Sequence, residues 1–71
     1  MNNTTQGFAK ELKRLNLAMK NKTASDKEYQ KRKREIRTEA AYWGISFDDV
    51  ITNSETNKNK YLKEIQDEQA G

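Results

Sequence analysis

Nothing covalent staples this chain. Its 71 residues include no cysteine and no histidine, so neither a disulfide nor an ordinary zinc site is available. A chain of this length buries a small fraction of its surface, and cores of this size are marginal without such help. Stability must come from tight side-chain packing or from a partner. Only 32% of the residues are hydrophobic, against 35% charged, between the values of a well-cored globule and a disordered segment. We therefore expect one small domain with a folded part, residues 1–52, and a polar C-terminal tail or frayed helix, residues 53–71.

The apolar residues that do exist fall at helical spacing. Phe8, Leu12, Leu15 and Met19 are 4, 3 and 4 apart, which places them on one face of a helix. The spacing predicts a first helix from Thr5 to Lys20, capped by Thr4 or Thr5, with a turn over Asn21–Ala24. Ser25 with Glu28 three residues later forms a capping-box pattern. A second helix runs from there to Trp43 and stops at Gly44, the residue type best suited to a left-handed C′ position. Tyr29, Ile36 and Trp43 repeat every seven residues with Ala40 beside them, giving one narrow apolar stripe. A short turn between two amphipathic helices implies an antiparallel hairpin. The chain has no proline to interrupt either helix.

Gly44-Ile45-Ser46-Phe47-Asp48-Asp49-Val50 is the clearest local signal. Ser46 is placed to cap, Asp49 to complete the box, and Ile45 and Val50 to form a hydrophobic staple. Asp48 and Asp49 suit the positive end of the helix dipole. A short third helix from Phe47 to about Thr52 should fold over the hairpin. Tyr61, Leu62 and Ile65 supply one weak apolar turn in the segment beyond. The expected fold class is all-α: an antiparallel helical hairpin, a short third helix and a weakly ordered or helical C-terminal segment. Its apolar set is Phe8, Leu12, Leu15, Met19, Tyr29, Ile36, Ala40, Trp43, Ile45 and Val50. That set is thin, so docking on a partner, or a homodimer through the Tyr29/Ile36/Trp43 stripe, would complete it.

Catalysis has little to work with. The commonest general base and the best nucleophile are both missing. The adjacent pair Asp48-Asp49 is explained by capping and the dipole. The three glycines, Gly7, Gly44 and Gly71, form no phosphate-binding loop. We expect no enzyme, no cofactor and no metal. No apolar run approaches the ~20 residues of a membrane span. Met1–Gln6 has neither the basic nor the apolar region of a secretory leader. These features, with the lack of cysteine, lead us to expect a cytoplasmic protein. Asn-x-Thr triplets at Asn2, Asn3 and Asn21 follow from an asparagine-rich chain. Ten lysines and seven asparagines point to AT-rich codons, of the kind a bacterial phage or mobile element carries.

Charge is unevenly placed. Residues 1–44 carry net +6 and residues 45–71 net −3. Projected on the second helix, Lys27, Lys31, Arg34 and Arg37 share one flank at spacing 4, 3 and 3. Glu28, Glu35 and Glu39 lie on the opposite flank with Arg32, where pairs such as Glu28–Arg32 and Lys31–Glu35 are at i,i+4 spacing. Lys33 lies near the apolar stripe, able to cover the core with its stem. On the first helix, Leu17 stands among Lys10, Lys13 and Arg14, opposite the core face. Tyr42 lies off the stripe and is a candidate contact, since aromatic residues are enriched at binding hot spots. The candidate partner-binding residues are thus Lys27, Lys31, Arg34, Arg37, Lys10, Lys13, Arg14, Leu17 and Tyr42.

Two local resemblances bear on the partner. Ala40, Gly44 and Val50 have the spacing of a DNA-binding helix-turn-helix, which the segment resembles at those positions. Here the would-be recognition helix opens with Phe47-Asp48-Asp49, which would set two carboxylates against phosphates and base edges. Ser25, Glu28-Tyr29 and Lys33 match the Thr-x-x-Glu-Phe…Lys pattern of the short SHOCT-type helical hairpin, which Leu12 to Ile36, about a third of the chain, resembles. The usual turn glycine of that pattern is Lys22 here, and the apolar residue after it is Ala24. That likeness implies a small interaction or oligomerisation module. The first expectation is a small regulatory or inhibitory protein that binds a protein target. The alternative is a small DNA-binding protein using the basic flank of the second helix.

Overall fold

Thr4 stands in extended backbone with its hydroxyl accepting from the Gly7 amide at 3.1 Å, and the first helix starts there. The computed structural model describes residues 4–70; Met1–Asn3, where two of the Asn-x-Thr triplets begin and the stretch read for a leader starts, and Gly71 lie outside the described residues. Four helices follow: α1 (Thr5–Lys20), α2 (Asp26–Tyr42), α3 (Phe47–Thr56) and α4 (Lys58–Ala70). There is no strand among the described residues.

Helix α1 ends in a left-handed turn. The Thr23 amide donates to the Ala18 carbonyl at 2.8 Å and the Lys22 amide to Met19 at 3.2 Å, with Lys22 at φ 59°. That pair of bonds is a Schellman closure, made here by a lysine in a conformation that favours glycine. Ser25 then caps α2, its hydroxyl accepting from the Glu28 amide at 3.2 Å. Asn16 meets Tyr29 and Glu11 meets Arg32. Partners therefore recede along α1 as they advance along α2, and the pair is antiparallel.

The end of α2 repeats the device. The Ile45 amide reaches the Ala40 carbonyl at 2.9 Å, and the Gly44 amide reaches Ala41 at 3.0 Å, with Gly44 at φ 73°. This turn corrects the expected core. Trp43 is 53% exposed, because the helix ends at Tyr42 and the turn swings Ile45 back against the core in its place. The Trp43 ring instead meets Tyr42 edge-on, with centroids 5.3 Å apart. Ile36, the middle of the same stripe, is fully covered by the chain itself.

Ser46 precedes α3 in extended backbone, but its side chain makes no capping hydrogen bond. The residues of this helix end, Ser46, Asp48 and Asp49, are exposed, so its first amides can be left to solvent in place of the expected box, while Asp48 and Asp49 remain in the first turn. Helix α3 continues past Thr52 to Thr56, and Asn57 joins it to α4. The polar run holds helix because its inner side is satisfied internally. Asn53 Oδ1 accepts from Asn57 Nδ2 at 3.2 Å and from the Tyr61 hydroxyl. Tyr61 is buried, and Ile65 with it.

The core thus draws on every helix. Phe8, Ala9, Leu12 and Leu15 come from α1, Ile36 and Ala40 from α2, Val50 from α3 and Tyr61 from α4. Tyr29, Ile45 and Phe47 pack against this cluster half-buried, and Met19 is half-buried near the end of α1. Ser54, four residues past Val50, is buried with its hydroxyl unpartnered among the described residues. Helix α1 packs against all three others. The radius of gyration is 11.7 Å, close to the ~11 Å of a compact domain of this length.

The two turns should respond oppositely to substitution. A Cβ at Gly44 would meet no atom within 4 Å, so Gly44→Ala should cost about 1 kcal/mol through backbone conformation alone. Lys22→Gly should stabilise by roughly 0.5–1 kcal/mol, by removing left-handed strain. Urea midpoints at unchanged m-value measure both. Shifts of the same sign would contradict the left-handed reading of these turns.

Candidate functional site

The basic residues divide by what faces them. On α1, Lys10 Nζ lies 2.6 Å from Glu68 and 3.5 Å from Glu64, and Arg14 lies 2.5 Å from Glu68, all across to α4. Arg14 also approaches Glu11 at 3.8 Å. Lys10 and Arg14, open in the sequence reading, are therefore met by carboxylates of α4. Leu17 is half-buried, and Lys13 is half-buried without an ion pair among the described residues. The hydrogen bond between Lys10 and Glu68 holds the lysine above its ordinary pKa and the carboxyl below its own. Burial, aided by the charge of Glu64, pushes the Tyr61 hydroxyl up.

On α2 the inner flank is neutralised and the outer flank is not. Arg32 is shared among Glu35 at 3.2 Å, Glu39 at 3.9 Å and Glu11 of α1 at 3.9 Å. These replace the expected Glu28–Arg32 and Lys31–Glu35 pairs, because Arg32 is drawn forward along α2 and across to α1. Lys27, Lys31, Arg34 and Arg37 are exposed, and none forms an ion pair among the described residues. From Lys27 to Arg37 the row is about 15 Å long, at ~1.5 Å per residue. Tyr42, 81% exposed, stands beyond its end.

The chain matches no family model, no curated protein and no solved structure. What the site can do rests on its own chemistry. At the positions of helix-turn-helix resemblance, Ala40 and Val50 are fully buried and Gly44 makes the left-handed turn. Around them, however, α3 turns Asp48, Asp49 and Glu55 to solvent. No group of His, Cys, Asp or Glu among the described residues is arranged to hold a metal ion. No described helix is long and apolar enough to cross a membrane.

A seam between α2 and α3 was missed in the sequence. Three adjoining cavities of about 350, 240 and 170 Å³ follow it. Arg37 and Phe47 line both of the first two, and Lys33 lines the second and third. The Lys33 ammonium sits 5.7 Å from the centroid of the Tyr29 ring, which packs against the core, and Lys33 is half-buried. The available signal was Phe47 and Ile51, four apart on one face of α3 and assigned to no core position.

The contacts between α1 and α4 should give stability a defined pH window. Glu68, with its carboxyl held low, contributes fully above the ordinary carboxylate pKa of ~4.3, and loses that contribution as pH falls through its lowered value. Lys10 and Tyr61, both held high, contribute fully below about pH 10 and lose it as pH climbs through their raised values. Thermal melts followed by circular dichroism should show a plateau in between, with the acid limb shallower in Glu68→Gln. Identical acid limbs in both proteins would contradict this assignment.

Proposed function

We propose that this chain is a small non-enzymatic regulatory or inhibitory protein that acts by binding an acidic surface of a protein partner through the outer flank of α2. The observation that carries this reading is the unequal use of positive charge. Lys10, Arg14 and Arg32 meet carboxylates of the chain itself. Lys27, Lys31, Arg34 and Arg37 form a row that nothing in the described residues neutralises. Such a row steers an acidic partner and fixes register, and guanidinium groups bind carboxylates in a two-pronged geometry. Tyr42 beyond the row offers the amphipathic ring common at binding hot spots.

A protein partner suits the surroundings better than nucleic acid. Asp48 lines the same cavity as Arg37, and Asp49 is exposed beside it. A phosphate backbone following the row would meet these carboxylates, whereas a protein surface can place neutral or basic groups there. The net charge of +3 is modest for a dedicated nucleic-acid binder. Inhibition or regulation would then follow from occupying the partner's acidic surface, in a chain suited to a phage or mobile element and to the cytoplasm.

The tagged full chain, incubated with nuclease-treated bacterial lysate, should retain one acidic protein. Reversing Lys27, Lys31, Arg34 and Arg37 to glutamate should lower that retention at least tenfold while the helical spectrum is kept. Loss of all captured material on nuclease treatment would instead favour the DNA-binding reading. Equal capture by the reversed variant would remove the basic flank from the account.

A further inference from the structure

We propose that the seam between α2 and α3 is a docking groove for an amphipathic helix of a protein partner, with an acidic edge lying along α2. The proposal rests on the protein-binding function above and names the element that would be bound. Three observations carry it.

The first is shape. Open depressions run beside the line where α2 meets α3, from Ile45 and Ala41 at one end to Tyr29 and Ile51 at the other, where Leu12 and Asn16 of α1 form the floor. From Tyr29 to Ala41, α2 runs about 18 Å, room for roughly three turns of a docked helix. The second is an apolar floor. Phe47 is half-buried, and Ile51, one turn further along α3, is 39% exposed. Two apolar steps one turn apart match the i, i+3/i+4, i+7 anchors by which helices lie in grooves.

The third is the charge across the groove. The α2 wall carries Lys33, Arg34 and Arg37, while the α3 wall carries Asp48 and Glu55. The complementary occupant has carboxylates along one edge, basic or neutral residues along the other, and an apolar stripe between. A uniformly anionic strand meets repulsion on the α3 wall, and a uniformly cationic helix meets it on the α2 wall. This polarity selects a folded protein segment over nucleic acid, and it fixes the direction in which the segment lies.

The test uses the full chain and fluorescein-labelled synthetic helices of about 14 residues, a length that covers three turns. One carries leucines at i, i+4, i+7 and i+11 with glutamates on one edge and lysines on the other. Its controls have glutamate on both edges, lysine on both edges, or serine in place of leucine. The mixed-edge peptide should bind tightest and the all-lysine peptide at least tenfold more weakly, with amide shifts at Lys33, Arg37, Phe47 and Ile51. Ile51→Glu and Arg37→Glu, both at exposed positions, should each weaken binding at least tenfold, and circular dichroism confirms that each variant is folded. Equal binding of the serine peptide, or no effect of Ile51→Glu, overturns the groove while leaving the acidic-surface reading standing. Failure of every acidic peptide to bind also overturns the groove. The acidic-surface reading falls separately, if the reversed flank still captures its partner from lysate.

Discussion

Burial of one face of α1 is the constraint on which the rest depends. Phe8, Leu12 and Leu15 are apolar residues at helical spacing, and the chain has no cysteine with which a disulfide could share the load. Removing them from water stabilises by about 1.5–3 kcal/mol for each large side chain. One hairpin partner does not cover the face. Ile36 and Ala40 come from α2, Val50 from α3 and Tyr61 from α4, so three helices close over one. A 71-residue chain reaches a compact state in this way from few apolar residues.

The same arrangement decides where charge is left over. Docking α4 along the edge of α1 beside that face brings Glu64 and Glu68 to Lys10 and Arg14. These exposed pairs contribute little energy individually, but they tie α4 to α1 and occupy Lys10 and Arg14. Packing α2 against α1 draws Arg32 to Glu11. Among the described residues no helix covers the outer flank of α2. Its cations and the groove beside them are therefore a consequence of the packing.

Secondary structure and its punctuation were largely legible. The 4-3-4 spacing marked α1 to its observed ends, and Ser25 and Gly44 bounded α2. Those signals are local, so a sequence displays them. Trp43 misled because heptad arithmetic assumes the helix continues, whereas a left-handed turn hands its place to Ile45. The end of α3 and the start of α4 were hidden because Asn53, Asn57 and Tyr61 satisfy one another, and polar inner faces leave no hydrophobic period. At the candidate site, Lys27, Lys31, Arg34 and Arg37 were legible as a flank because they lie on one helix. That Lys10 and Arg14 were occupied depended on carboxylates 54 and 58 residues away, which no local pattern reveals.

Native-state hydrogen exchange tests the shared core most directly. If α1 is the common floor, the amides around Tyr61 and Ile65 in α4 should open with the same free energy as those around Leu12 and Ile36, the global value. Protection confined to α1 and α2, with α4 exchanging at the rate of a free peptide, would contradict a four-helix core and return the chain to a hairpin with a loose end.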